Sequence, residues 1–148
     1  MGNKFNFNSQ VSTSRSQSER LLALGLKKET ADMALVPLME WDDCTSQEYF
    51  TGIYAARAKE DAERYCLDYI PAWSLHRIWV LMPKWIDTDK RRYYLQMNAK
   101  GDIGYFSDNY HALEYFYGNE TIYDDYISCI AWLIKEGYFN KEYLKNGN

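Results

Sequence analysis

Four stretches of the chain carry apolar residues at the three- and four-residue spacing of an amphipathic helix. Each stretch begins near a residue that can cap a helix N-terminus and ends before a glycine or a proline. The pattern predicts helices over about residues 17–24 and 46–68, between Ser74 and Pro83, and between Thr121 and Gly137. A shorter helical turn is expected at Lys28–Met33.

Between the last two helices the pattern changes to short apolar runs separated by polar turns, which is typical of strands. The runs predict three strands, at Trp85–Ile86, Tyr93–Met97 and Ile103–Phe106. The turns at Asp87–Lys90 and Asn98–Asp102 are short, so the three strands should form an antiparallel meander. Such a sheet needs a cover on its apolar face, and the apolar stripe Ile127–Ile134 of the last helix should supply it.

These elements predict a single α+β domain over residues 16–148. It combines N-terminal helices, a central three-stranded antiparallel meander and a C-terminal helix packed on the sheet. Residues 1–15 lack apolar periodicity and are expected to form a flexible N-terminal arm. Trp73 follows Ile70-Pro71-Ala72 at the junction of two predicted helices, where its large ring should be a buried anchor.

Charge, the length of the apolar runs and cysteine content limit the kinds of partner and the cellular compartment that the sequence favours. The net charge of −4 gives no overall attraction to a polyanion. The longest apolar runs, Leu75–Met82 and Ile127–Ile134, are far shorter than the roughly 20 residues that cross a bilayer. The N-terminus lacks the apolar core of a signal peptide. Three widely spaced cysteines, an odd number, fit a reducing cytoplasm, and they are Cys44, Cys66 and Cys129.

The familiar signatures of enzymes and metal proteins are missing from the sequence. No Gly-rich phosphate loop, dinucleotide fingerprint, nucleophile elbow or zinc-protease motif occurs. No two cysteines form a C-x-x-C pair, and His76 and His111 are the only histidines. We therefore expect no cofactor, no metal and no catalytic residue.

Several of the structural segments described above occur together in a recognisable order. They are Glu19–Leu26, Lys28–Met33, Ile70–Leu75, Met82–Pro83, Tyr93–Leu95, Ile130–Ile134 and Gly137–Tyr138. This arrangement resembles a group of small uncharacterised proteins found in prophages and mobile elements of gut Bacteroidetes, over most of residues 19–144. The resemblance implies a cytoplasmic accessory protein of phage or mobile-element origin, and it implies no mechanism.

Aromatic residues make up 17% of the chain and are the strongest functional indication. Tyr and Trp suit protein interfaces because they combine large contact area with a polar tip. Trp132 should lie roughly 150° around the last helix from its apolar stripe, partly exposed and continuous with nearby tyrosines. The sequence therefore predicts a non-enzymatic protein–protein interaction, with an unknown partner or by self-association, through Trp132, Tyr126, Tyr115 and Tyr117.

Two alternatives stay open at this point. Lys90, Arg91, Arg92, Tyr93 and Tyr94 combine cations with aromatic rings, as a nucleic-acid-binding module does. The following span, 102–136, carries seven acidic residues and one lysine and would repel phosphates, which argues against nucleic acid. The second alternative is an enzyme with an unrecognised site near His76, for which Cys66 and Asp68 are the candidate partners.

Overall fold

The computed structural model describes residues 10–37, 49–50 and 69–146. The described part is α+β, with three helices and two antiparallel sheets. In chain order the elements are α1 (Arg15–Ala23), β1 (Met33–Pro37), β2 (Tyr49–Phe50), β3 (Ile70–Ala72), α2 (Leu75–Leu81), β4 (Trp85–Asp87), β5 (Arg92–Met97), β6 (Ile103–Phe106), β7 (Ala112–Phe116) and α3 (Ile122–Glu136). Single 3₁₀ turns at Lys28–Thr30 and Lys141–Tyr143 follow α1 and α3.

The helix ends follow the capping signals of the sequence. Ser74 and Thr121 cap α2 and α3, each accepting a hydrogen bond from the backbone N–H three residues on. The C-cap of α3 is Gly137, which has a left-handed φ of 80° that glycine adopts without steric cost. The predicted boundaries of these two helices are confirmed.

Helix α1 begins two residues before its predicted start. Its capping box joins Ser14 and Gln17, whose side chains each accept a hydrogen bond from the other residue's backbone N–H. The amide of Gln17 also donates to Thr121 at 3.2 Å and to Asp124 at 2.9 Å, so it ties the start of α1 to the start of α3.

The larger sheet has four strands in the order β4-β5-β6-β7, so the prediction of a three-stranded meander is one strand short. Strand β7 was missed because its register on β6 shifts between two pairs: Tyr105 faces Glu114, while Phe106 faces Ala112. The extra residue, Leu113, breaks the period-two alternation that identifies a strand in a sequence.

The smaller sheet, in the order β2-β1-β3, was not predicted. Its edge strand β3 contains Pro71, which an edge position tolerates because it needs no N–H on the open side. The predicted helix over 46–68 is wrong at Tyr49–Phe50, which pair with β1. The rest of that range lies outside the described residues.

The hydrophobic core lies between α3, the four-stranded sheet and helices α1 and α2. Its fully buried members include Leu21, Ile78, Ile103, Tyr105, Ile127, Ile130 and Leu133. Trp132 packs against Tyr105 of β6 and Phe116 of β7, with ring centroids 5.9 and 6.2 Å apart. Because Trp132 lies across the helix from the Ile127–Ile134 stripe, that stripe points away from the sheet, contrary to the prediction.

Trp73 is completely buried at the junction of β3 and α2, as predicted. Its indole N–H donates to the Thr30 hydroxyl at 3.0 Å. Its backbone N–H donates to the Thr13 hydroxyl, and its carbonyl accepts from the Thr13 N–H at 2.9 Å. Thr13 belongs to the expected N-terminal arm over residues 1–15, so residues 10–15 of that arm are part of the fold. Residues 1–9 lie outside the described part.

Replacing Trp73 by alanine should lower the free energy of unfolding by about 3–5 kcal/mol, because it removes a fully buried ring and leaves a cavity. Urea denaturation followed by far-UV circular dichroism measures this loss. Trp85→Ala is the matched control, since Trp85 is half-exposed and its removal should cost less than about 1 kcal/mol. An unchanged midpoint for Trp73→Ala would contradict the anchor role.

Candidate functional site

The four-stranded sheet has a core face, which α3 covers, and an opposite face that we call the outer face. Buried Ile86, Leu95, Ile103 and Tyr105 point to the core face. Residues between them on each strand point the other way, because strand side chains alternate. The outer face is therefore formed by Trp85, Tyr94, Gln96, Phe106 and Tyr115.

A continuous row of aromatic rings crosses the outer face. Trp85, Tyr94 and Phe106 are direct cross-strand neighbours on β4, β5 and β6. Tyr115 extends the row, with its ring 6.1 Å from that of Phe106, and Tyr117 stacks on Tyr115 at 5.2 Å. Trp85, Tyr115 and Tyr117 keep 51%, 45% and 61% of their surface exposed. The row therefore presents large aromatic area to solvent.

Gly104 shapes the middle of the outer face. It pairs with Gln96 on one side and Tyr115 on the other. A Cβ at this position would lie 2.5 Å from both the Glu114 carbonyl oxygen and the Tyr115 Cβ. Strands β6 and β7 can therefore pair at this distance only because residue 104 is a glycine, which has no side chain. The glycine also leaves a shallow gap in the aromatic surface of the outer face.

One arginine is held on the outer face by an aromatic ring and a carboxylate together. The Arg92 guanidinium lies 5.0 Å from the Trp85 ring centroid and donates two hydrogen bonds to Asp87, at 2.6 and 3.0 Å. This hydrogen bonding holds the pKa of Asp87 below its usual value and raises the pKa of Arg92. The charge of Arg92 is therefore already balanced within the chain.

A concave site of about 340 Å³, which we call the outer cleft, opens at one side of the outer face. Its lining is formed by Gln96, Met97, Asn98, Asp102, Phe106 and Tyr110. It combines two aromatic rings with amide groups and one carboxylate. Its volume is at the small end of the range for ligand sites, large enough for one side chain and its adjoining backbone.

Two hydrogen-bonded turns hold the polar and aromatic walls of the outer cleft. In the β5–β6 turn, the Asn98 side chain accepts from the Asp102 N–H at 3.1 Å and donates to the Asp102 carboxylate at 2.9 Å. In the β6–β7 turn, the Tyr110 N–H donates to the Ser107 carbonyl at 2.9 Å. Tyr110 has a left-handed φ of 60°, and 81% of its surface is exposed.

The predicted interaction residues do not form one surface. Tyr115 and Tyr117 lie on the aromatic row of the outer face. Trp132 is half-buried on the opposite side of the sheet, where it also packs against Tyr138. Tyr126 is only 2% exposed and donates its hydroxyl hydrogen to the Met97 sulfur. Tyr126 therefore belongs to the core, and Trp132 cannot extend the patch of Tyr115.

The residues of the nucleic-acid alternative are also divided between surfaces. Tyr93 pairs with Ile86 and packs against the core, whereas Tyr94 lies on the outer face. Lys90, Arg91 and Arg92 line a separate polar cleft of about 290 Å³ with Ser107, Asp108 and Asn109. The outer face has an aromatic ring on which a base could stack, and cations lie nearby. The arginine nearest the rings, Arg92, is however already hydrogen-bonded to the Asp87 carboxylate, so its charge is not free to pair with a phosphate.

His76 is exposed on α2 at the rim of a cleft of about 230 Å³. The other lining residues are Leu75, Trp79, Met97 and Tyr126. The one acid–base group among these side chains is the Tyr126 hydroxyl, which is buried and donates its hydrogen to the Met97 sulfur, and the lining offers His76 no carboxylate or thiol. Cys66 and Asp68, its predicted partners, lie outside the described residues.

Cys129 is a free, buried thiol on the sheet side of α3. Burial, with a smaller contribution from the Glu114 charge, raises the pKa of Cys129 to about 12. Since the thiolate is the reactive form of cysteine, burial and a raised pKa leave Cys129 with little nucleophilic character. Among the described residues, no group of three or more His, Cys, Asp or Glu side chains could hold a metal ion.

Trp85, Gln96 and Asp102 form part of the outer face and the outer cleft, and sequence reasoning did not select them as interaction residues. Trp85 and Phe106 were predicted as strand residues, without an assignment to a face. Strand alternation contains the missing signal, because Trp85 and Phe106 have the opposite parity to Ile86 and Tyr105. Using that signal requires the strand register, which comes from the structure.

No family model, curated protein or solved structure matches this chain. Within the described residues, no helix has the length and apolar character needed to cross a membrane.

The raised pKa predicts that Cys129 reacts very slowly with alkylating reagents while the protein is folded. At pH 8 a thiol with a pKa of about 12 has roughly a thousandfold less thiolate than one with the ordinary value of 9.0. Mass spectrometry of the peptide that contains Cys129, after iodoacetamide treatment with and without urea, measures this difference. Equal labelling in both states would contradict the burial.

Proposed function

We propose that this chain is a non-enzymatic protein-interaction protein, an accessory protein of a prophage or mobile element, whose outer face binds a protein partner. The observation that supports this proposal is the aromatic row from Trp85 to Tyr117, which crosses all four strands with half-exposed rings. Interfaces are enriched in Tyr, Trp and Arg at their centres. The row offers all three, since Arg92 lies over Trp85.

The charges near the outer face favour a protein over a polyanion. The β4–β5 and β6–β7 turns, with the strand residues next to them, carry the cations Lys90, Arg91 and Arg92. They also carry the carboxylates Asp87, Asp89 and Asp108, so the local net charge is zero. Nucleic-acid affinity depends on an excess of cations that releases counterions from phosphates. The outer face has the stacking rings without that excess.

The size of the outer face favours a short segment of the partner over a second folded copy of this chain. Four strands at a spacing of about 4.8 Å and a length of about five residues give a footprint of roughly 300 Å². A stable pair of folded proteins buries about 800 Å² on each partner. A short peptide segment that lies across the aromatic row needs only an area of this size.

Photo-crosslinking tests the proposed surface. Benzoylphenylalanine in place of Tyr115 should crosslink one protein in cells that carry the gene naturally, because Tyr115 is on the aromatic row. The matched control is the same group at Val80, which is 46% exposed on α2. The crosslinked protein is then purified and its affinity for the unmodified chain is measured by calorimetry. Trp85→Ala should weaken that affinity at least tenfold, the effect of losing a large aromatic contact that Arg92 also packs against.

Three results would contradict the proposal. The first is equal crosslinking at Tyr115 and Val80, which would mean that the outer face has no preferred partner. The second is crosslinking of Tyr115 only to nucleic acid or only to a second copy of the chain. The third is an affinity for the purified protein that Trp85→Ala leaves unchanged.

The charge balance also predicts no nucleic-acid binding above background at physiological salt. Fluorescence anisotropy with labelled single-stranded DNA and RNA should give the same baseline for the wild type and for the combined variant Lys90→Ala, Arg91→Ala and Arg92→Ala. Micromolar binding that weakens steeply with salt and disappears in the combined variant would establish the nucleic-acid alternative instead.

A further inference from the structure

We propose that the outer cleft binds the side chain of a lysine or arginine from the partner protein. This inference rests on the proposed function, because it names the chemistry of the segment that the outer face receives. Phe106 and Tyr110 provide two aromatic faces, and Asp102 provides a carboxylate at the same cleft. A cation that lies between aromatic rings and a carboxylate gains cation–π attraction and a charge-assisted hydrogen bond together.

The same sheet already shows this combination of contacts with one of its own side chains. Arg92 lies over the Trp85 ring and is hydrogen-bonded to Asp87. The outer cleft offers the same two kinds of group, an aromatic face and a carboxylate. The chemistry that holds Arg92 on the outer face is therefore available to a cation supplied by another protein.

Asp102 is placed to receive such a cation. Within the described residues the side-chain ion pairs are Arg15 with Glu19 and Arg92 with Asp87, so Asp102 has none. Lys100 is close in sequence, but its described hydrogen bond is from its backbone N–H to the Asn98 side chain. The Asn98 amide fixes the Asp102 carboxylate, which reduces the entropy lost when a ligand binds.

Tyr110 supplies a second, independent observation. A left-handed backbone is unfavourable for a tyrosine, and a ring that is 81% exposed returns little stability to the fold. Strained residues persist where the surrounding structure holds them, and they concentrate at binding sites. The hydrogen bonds of the Ser107–His111 turn hold Tyr110 in this conformation at the mouth of the outer cleft.

The chemistry of the cleft also distinguishes a cation from other ligands. A phosphate would be repelled by Asp102, and the outer cleft includes no lysine or arginine to compensate. A neutral sugar would form hydrogen bonds with Gln96, Asn98 and Asp102 but, having no charge of its own, would gain no ion pair with Asp102. Dependence on that charge is therefore the property that the experiment must measure.

The test is a titration of the ¹⁵N-labelled full chain followed by two-dimensional NMR. The probe is the peptide acetyl-Ala-Arg-Ala-amide, and its matched control is the same peptide with citrulline, which keeps the shape of arginine and removes its charge. The arginine peptide should give saturable shifts at the amides of Asp102, Phe106 and Tyr110. The citrulline peptide should bind at least tenfold more weakly.

Two variants locate the charge dependence. Asp102→Asn should weaken binding of the arginine peptide at least tenfold, because it removes the charge and keeps an oxygen that accepts the Asn98 hydrogen bond. Asp108→Asn is the control, since Asp108 is an exposed carboxylate of the neighbouring turn that lines the other cleft. Its affinity should stay within twofold of the wild type. Unchanged amide shifts away from the cleft verify that both variants are folded.

Several outcomes would overturn this inference. They are equal binding of the arginine and citrulline peptides, no saturable shift, loss of affinity in both variants alike, or tighter binding of chitotriose or of a dinucleotide. The crosslinking experiment at Tyr115 is read separately. A partner captured at Tyr115 whose affinity does not change in Asp102→Asn overturns the cation site and leaves the proposed function standing.

Discussion

The packing of α3 on one side of the four-stranded sheet determines where every strand residue can lie. Strand side chains alternate between faces, so covering one face with Cys129 and Trp132 of α3 assigns Leu95, Ile103 and Tyr105 to the core. The residues between them must therefore point to the opposite face. The aromatic row is the consequence of this alternation, because the rings on it could reach the core only by a shift in register.

The outer face is an aromatic surface on which the charge of Arg92 is paired with a neighbouring carboxylate. Arg92 would otherwise bring a cation to the rings, but its two hydrogen bonds with Asp87 keep the net charge close to zero. The outer cleft differs because Asp102 contributes a negative charge beside Phe106 and Tyr110. The surface therefore combines a neutral aromatic platform with one acidic corner, and in the proposed complex that asymmetry would orient the bound segment as well as position it.

Local signals predicted the local structure of this chain well. Ser74, Thr121 and Gly137 mark helix ends because a cap depends on residues a few positions apart. The smaller sheet was missed because the pairing of β1 with β3 joins residues about 35 positions apart, and the fourth strand was missed because a bulge at Leu113 hides the alternation of β7. Trp132 and Tyr126 were predicted to be on the surface because the sequence shows one apolar stripe along the last helix. In the structure α3 is covered on two sides, so residues outside that stripe are also buried or half-buried.

The two ends of the described chain meet, and this affects how the protein is made. Gln17 of α1 bonds to Thr121 and Asp124, Lys27 donates to the Tyr143 carbonyl, and Lys145 donates to the Gly25 carbonyl. Contacts that close such long loops are expected to form late in folding, because bringing the two ends together costs chain entropy before the contacts can offset that cost. During translation, α1 emerges before α3 and must wait for residues 121–145 before it can complete these hydrogen bonds. Helix α1 is thus synthesised early and completed late, and a chain that ends before α3 lacks part of the surface against which α1 packs.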